Sequence, residues 1–477
     1  MDIISSNFRM ERDIVGEVAV PAEAYYGAQT LRALENFPMT GQRLPIEMIQ
    51  SLVLIKKAAA LTNREAKVLP PRIADAIASA CDELLNGKFC DQFPVDPVQG
   101  GAGTSTNMNA NEVIANRAIE LLGGTKGDYA LVHPNDHVNC GQSTNDVYPS
   151  CGKMTAVKLL KQLDEALAAF QKSLEDKAFA FDHVVKMGRT QLQDAVPVRL
   201  GQEFRAYATA VGRDIRRLGR AREDMHVLNL GGTAIGTGIN ACNVYARNIV
   251  AAVSRLSGEC YTQAEDLIDG TQNLDCYTAV SGALKSCAVN LSKMCNDLRL
   301  MSSGPYAGLG EITLPARQNG SSIMPGKVNP VIPEVVNQIA FNVIGNDMTI
   351  TLAAEAGQLE LNAFEPIIFY KLFESITTLT QGVRTLTEHC IKGITANEKR
   401  CKQLVEGSAG IVTALCPFIG YTRASSLVKE AQRSGISIQA LALRDGLFTE
   451  RELREILNPY AMTMPSEVPQ DTLKTVS

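Results

Sequence analysis

Apolar residues recur at spacings of three and four over long stretches of this chain. Ala156, Leu160, Leu163, Leu167, Phe170 and Leu174 form one series. Val280, Leu284, Cys287, Leu291, Met294 and Leu298 form a second, and Leu372, Ile376, Leu379, Val383, Leu386 and Cys390 a third. A shorter set runs Phe204, Tyr207, Val211, Ile215 and Leu218. Each series puts one apolar stripe along a helix of several turns. The 3/4 alternation keeps that seam against a neighbour, so the helices are expected to pack nearly antiparallel as a bundle. Strand signals are weak and short. The expectation is a mainly α chain whose central part, residues 143–396, is a long-helix bundle domain.

The flanks differ. Residues 1–142 combine shorter helical patterns at 46–67, 71–86 and 109–122 with turn-rich stretches such as HPNDHVN at 133–139. This gives an N-terminal mixed helical domain. Residues 397–477 read as a small C-terminal helical domain in which ISIQALALRDG and TERELREIL are the clearest helices. The second carries Thr449 as N-cap with Glu452 three residues on, a capping box. Neither an internal repeat nor a low-complexity tract interrupts the 477 residues.

Composition narrows the function. A net charge of -5 argues against a nucleic-acid surface, which needs clustered Lys and Arg. No block of like charge supports membrane-surface binding. The start, MDIISSNFRMERD, lacks the apolar core of a signal peptide, and apolar runs such as SLVLI at 51–55 end in charge, so a cytoplasmic location is expected. The 12 cysteines are scattered without a C-x-x-C pair, and buried thiols acting as small hydrophobes account for them. Paired Cys/His ligands for zinc are absent from the sequence.

Against this helical background stand four polar loops: QGGAGTSTNMN (99–109), QSTND (142–146), GRTQLQD (188–194) and GSSIMPGKVNP (320–330). Each joins Gly or hydroxyl residues to amide side chains at the edge of a helical pattern. Donors and the helix dipole converge at such places, which suits an anion. The same residues also serve as plain caps and turns, and composition leaves both readings open. A fifth stretch, GGTAIGTGIN (231–240), has glycines like a dinucleotide loop, but no strand or βαβ unit precedes it, so a tight turn between helices is expected. His133 and His137 lie in a turn-rich loop and read as surface or capping residues.

GSSIMPGKVNP resembles the signature of the fumarase/aspartase superfamily of elimination enzymes, and the other three loops fall in that superfamily's order and spacing. RMERDIVGEVAVPAEAYYGAQTLRALENF, NDLRLMSSGPYAGLGEI and AAEAGQLELNAFEP extend the similarity over nearly the whole chain. The resemblance implies a three-domain subunit, and a homotetramer with a twenty-helix core whose active sites are each shared by three subunits. It implies ammonia-lyase activity: reversible loss of ammonia from L-aspartate to give fumarate. It implies no cofactor, although a divalent cation such as Mg can activate relatives. The alternatives are a fumarase acting on malate and a non-catalytic superfamily member.

The implied chemistry removes a proton beside the β-carboxylate, so charge must be held as an aci-carboxylate by donors placed where it develops. By similarity Ser321 is the base, working as an alkoxide near Lys327 and backbone N–H groups. Lys327 and Asn329 are implied to bind the α-carboxylate. Thr104, Ser143 and Thr144 are implied to grip the β-carboxylate, with Ser322 adding a donor. Asn145 is implied to lie near the amino group, and Thr190 and Gln191 to complete the site from another subunit. Many superfamily members carry histidine where this chain has Gln191. Glutamine transfers no proton, and a substrate ammonium leaves without needing one, which favours ammonia loss over dehydration.

Overall fold

The protein is described by a computed structural model covering residues 7–465. It opens with a short antiparallel hairpin, β1 (Phe8–Arg12) and β2 (Glu17–Pro21). The Arg9 guanidinium braces it by donating to the carbonyls of Pro21, Ala24 and Tyr26. Four helices follow: α1 (Ala28–Asn36), α2 (Ile46–Glu65), α3 (Pro71–Leu85) and α4 (Thr104–Leu121). The 37-residue α5 (Thr144–Ala180) leads into a second hairpin, β3 (Val185–Thr190) and β4 (Gln193–Arg199), and then α6 (Leu200–Glu223). Two-residue strands β5 (Val227–Leu228) and β6 (Thr262–Gln263) pair in parallel around α7 (Asn243–Ser257).

After the four-residue α8 (Asp269–Gln272) come α9 (Asp275–Met301), the short β7 (Ile312–Thr313), α10 (Val331–Glu355) and α11 (Glu365–His389). The chain then forms β8 (Thr395–Ala396), α12 (Glu398–Glu406), α13 (Cys416–Ser434), α14 (Ile438–Arg444) and α15 (Glu450–Ile456). The mainly α expectation holds. Every member of the three long apolar series in α5, α9 and α11, Cys390 included, is buried. Thr449 and Glu452 form the capping box read from the sequence.

Packing separates two compact units. One comprises the chain as far as Glu165 with Asp214–Ala288 and Ala340–Thr380; the other comprises Ala166–Arg213, Val289–Ile339 and Gln381 onward. Each boundary falls inside one of the long helices α5, α6, α9, α10 and α11. In the first unit α2 packs on α3, α4 and α7 and is buried on nearly all sides, which accounts for the apolar runs LVLI (52–55) and AAAL (58–61) within it. Tyr148, Tyr277 and Phe369 cluster beside Gly152, with ring centroids 4.9 and 5.1 Å from that of Phe369. In the second unit Val405, Ile411, Leu415, Ile438, Leu453 and Leu457 close a core under Met187 of β3.

Two observations bear on the exclusions above. The segment Ala409–Ser434 is long and apolar enough to be compared with a membrane span. It is not one straight helix: Gly420 breaks it at φ 75°, ψ 159°, and Ile411, Leu415, Ala424 and Leu427 are buried in the protein. The twelve cysteines are all free thiols, seven of them buried.

A Cβ on Gly152 would lie 2.2 Å from the Phe369 ring. Gly152→Ala is therefore expected to lower folding stability by about 1–3 kcal/mol through overpacking. A reduced urea midpoint with unchanged slope would register it; an unchanged midpoint would show the aromatic cluster yielding freely.

Candidate active site

In the first unit the loops 99–109 and 142–146 build the beginnings of α4 and α5. Gly103 stands before α4 at φ 88°, and a Cβ there would meet the Tyr148 ring at 2.4 Å, so the close approach of α4 to α5 requires glycine. Thr104 is the exposed first residue of α4, its hydroxyl donating to the Gly101 carbonyl at 2.7 Å. Asn107, one turn on, donates to the Thr144 hydroxyl oxygen at 3.1 Å and joins the two helix starts. Ser143 accepts from the Asn145 backbone N–H at 3.2 Å as cap of α5. Both Ser143 and Thr144 thus receive hydrogen bonds from the chain, which leaves their O–H groups to donate elsewhere. A helix N-terminus whose hydroxyls keep a proton to donate suits an anion.

Three buried groups hold that geometry. Asp146 is fully buried; one oxygen accepts from the Ser143 N–H at 2.9 Å, the other from Gly231 N–H at 3.0 Å and Thr233 N–H at 3.2 Å. Burial pushes its pKa up to about 6, against the opposing pull of those N–H groups and of Lys56. Pro149 inside α5 supplies no N–H for the Asn145 carbonyl one turn earlier. Asn229 donates to that carbonyl instead, at 3.0 Å, while the Asn145 side chain donates to the Ala234 carbonyl at 2.7 Å. GGTAIGTGIN is accordingly a turn that brackets the start of α5, as expected, although the two-residue β5 lies just before it. Lys56 of α2, with no exposed surface, donates to Asn139 Oδ1 at 2.8 Å and Gln142 Oε1 at 2.9 Å.

In the second unit GRTQLQD is the tip of the β3–β4 hairpin and not a helix-edge loop. Thr190 and Gln193 pair across it, and Gln191 and Leu192 form the two-residue turn with φ of 55° and 62°. Such turns usually carry Asn or Gly at these positions, so this one was hidden in the sequence. Arg189 pairs with the fully buried Glu311 at 2.8 Å, and Lys186 pairs with both Glu311 and Glu203. Thr190 and Gln191 are left exposed above this anchor, without side-chain partners among the described residues.

GSSIMPGKVNP closes on itself between β7 and α10. A Cβ on Gly320 would lie 1.5 Å from the Lys327 carbonyl oxygen, so only glycine fits there. Ser321 Oγ accepts the backbone N–H groups of Ile323 at 3.1 Å and Met324 at 3.2 Å. Two converging donors favour an anionic oxygen. Ser322 and Lys327 are exposed and Asn329 half-buried. Among the described residues the Lys327 ammonium has no carboxylate partner, and no hydrogen bond joins this loop to the hairpin tip. The ten residues singled out by sequence therefore fall into three groups, each held by its own local structure.

His133 caps the turn Pro134–Val138, its Nδ1 accepting from Asn135 and Asp136, and His137 Nδ1 accepts from the His133 N–H, as expected of capping residues. Among the described residues no group of three or more His, Cys, Asp or Glu side chains could hold a metal ion. Sequence reasoning passed over Lys56, Asn107, Asn139, Gln142 and Asp146. The available signal was Lys56 itself, a charge inside the apolar run LVLIKKAAAL.

The chain belongs to the lyase family, whose model matches residues 16–345, and a fumarase C C-terminus model matches residues 411–464. The aspartate ammonia-lyase of Bacillus subtilis (strain 168) is 54% identical over 467 residues, spanning 98% of each chain. The fumarate lyase:delta crystallin from Brucella melitensis bound to cobalt superposes with a TM-score of 0.93 at 48% identity, covering 96% of this chain and all of that one. The class II fumarase of Schistosoma mansoni gives the same TM-score at 34% identity, over 96% of this chain and all of its own.

The raised Asp146 pKa fixes a sign. Between about 3.8 and about 6 the folded protein keeps a proton that the unfolded chain releases, so this group's contribution to stability is present below that window and lost as pH rises through it. The loss should be on the order of 2 kcal/mol, and Asp146→Asn should remove that part of the slope in urea titrations at pH 4.5 and 6.5. Parallel slopes for both proteins would refute it.

Proposed function

We propose that the chain is an aspartate ammonia-lyase, converting L-aspartate reversibly to fumarate and ammonia. The observation that carries the mechanism is Ser321 Oγ, which receives two backbone N–H groups in the signature loop. As an alkoxide Ser321 takes the proton from the carbon beside the β-carboxylate. The electron pair moves onto that carboxylate as an aci-form; the C–N bond then breaks, neutral ammonia leaves and fumarate remains. Thr104, Ser143, Thr144 and Ser322 hold the β-carboxylate, with Thr104 turning its hydroxyl from Gly101 to do so. Lys327 and Asn329 hold the α-carboxylate, Asn145 lies near the amino group, and Thr190 and Gln191 complete the site from another subunit. Gln191 offers no proton to a departing hydroxide, which favours ammonia loss over the fumarase reaction. Non-catalytic membership has no support, since Ser321, Lys327 and Asn329 are all present.

The proposal includes a cytoplasmic homotetramer, with subunits of three domains (1–142, 143–396 and 397–477), a twenty-helix core, and sites completed by loops of three subunits. Support comes from α10, where Phe341, Ile344, Met348 and Leu352 recur at one-turn spacing and all but Ile344 are at least 60% exposed. An apolar stripe of that kind is covered by partner helices. A divalent cation such as Mg²⁺, which needs only one or two carboxylates and its own waters, is proposed as an activator and not a participant. That the Brucella relative binds cobalt supports binding of a divalent cation.

Ultraviolet absorbance should show fumarate forming from L-aspartate and not from L-malate; conversion of malate alone would overturn the reading. Ser321→Ala should lower kcat by about 10²- to 10⁴-fold, the usual worth of a positioned base. Met348→Asp should shift the assembly from tetramer to smaller species in light scattering, and an unshifted mass would remove α10 from the interface.

A further inference from the structure

Behind Ser143 and Thr144 lies a partly buried polar network that ends in one fully buried cation. Asn139 Oδ1 accepts from Lys56 at 2.8 Å, from Asn107 at 3.2 Å and from Asn111 at 3.3 Å. Asn107 donates its other N–H to the Thr144 hydroxyl, and the Asn139 amide donates to the Gln142 carbonyl at 3.2 Å. Gln142, directly before Ser143, takes the second Lys56 hydrogen bond. Among the described residues no other Lys or Arg is hydrogen-bonded to this network.

Stability alone gives no reason for the lysine. An ammonium stripped of water and bonded to neutral amides costs free energy, and a neutral donor could satisfy the Asn139 and Gln142 oxygens without that cost. The titratable groups facing it are Cys81 from α3 and Asp146 and Cys151 from α5; Tyr245 of α7 faces Asp146. His137 in the nearby turn is paired with its own loop. Burial lowers the Lys56 pKa to about 7, with Asp146 pulling the other way. An anion arriving in front of Ser143 and Thr144 would add to the pull of Asp146 and draw a proton onto Lys56.

We propose that Lys56 is a positioning residue for the β-carboxylate site, acting through Asn139, Gln142 and Asn107 to orient the Ser143 and Thr144 hydroxyls and to supply positive charge behind the bound dicarboxylate. This rests on the reading of the site under Proposed function.

The test uses succinate, an unreactive dicarboxylate, with the full-length protein. Calorimetry near pH 8 in two buffers of different ionisation enthalpy should show a proton taken up on binding by the wild type. Its Kd should weaken up to about tenfold per pH unit above neutrality. Lys56→Met should bind succinate about tenfold more weakly at pH 7 and without proton uptake. A merely structural lysine would leave proton uptake near zero in the wild type, and that result overturns the proposal even if Lys56→Met fails to fold. Unchanged affinity and proton uptake in a folded Lys56→Met overturns it too. A wild type that converts aspartate but gives either of these results sinks this inference alone, whereas one that neither converts aspartate nor binds succinate sinks the reading of the site as well.

Discussion

One buried carboxylate fixes the start of the longest helix. Asp146 gathers the N–H groups of Ser143, Gly231 and Thr233, and so clamps the beginning of α5 to the glycine-rich turn. Without it the two buried donors, Gly231 and Thr233 N–H, would be left unpaired, each costing about 1–3 kcal/mol. Much else in the first unit follows from that clamp. It holds Asn145 where its side chain reaches Ala234, and it brings Asn229 to the carbonyl that Pro149 leaves free. It also places Thr144 within reach of Asn107, whose hydrogen bond to the threonine oxygen leaves the hydroxyl proton to donate elsewhere.

The long helices were legible in sequence because one physical demand, burial of a stripe, writes itself at every third or fourth residue. Leu160, Leu291 and Leu379 are all about fully buried for that reason. The hairpins were not legible, for two different reasons. In β1–β2 the strands are only five residues long and half exposed, so alternation has little room to show. In β3–β4 the turn is made by Gln191 and Leu192, whose left-handed backbone no propensity would assign to them. That turn is held by what lies beneath it, the Arg189–Glu311–Lys186 cluster, which is spread over more than a hundred residues of sequence.

The candidate site divides in the same way. Ser321, Lys327 and Asn329 could be picked out because a short motif carries them together. The supporting residues could not, since Asn107, Asn139 and Lys56 come from different elements and look ordinary one by one. Lys56 was masked by the presumption that lysines point to water; on the mostly buried α2 its own side chain has no exposed surface. A charge among the buried residues of a mostly covered helix is therefore informative even when no motif surrounds it.

The arrangement also bears on why hydroxyls, and not a direct Lys or Arg pair, face the β-carboxylate in the proposed reaction. That group starts with one negative charge and must carry two in the aci-form. A cation in direct contact would already bind the starting carboxylate strongly, and binding shared by ground and transition states lowers KM without raising kcat. Hydroxyls fixed by Asn107 and the Asn145 N–H are aimed beforehand and gain most as the second charge develops. A lysine one layer behind, in a medium of low dielectric, adds field without closing on the substrate. Neutral donors in front and a buried cation behind thus place the strongest stabilisation late in the reaction, where it can raise the rate.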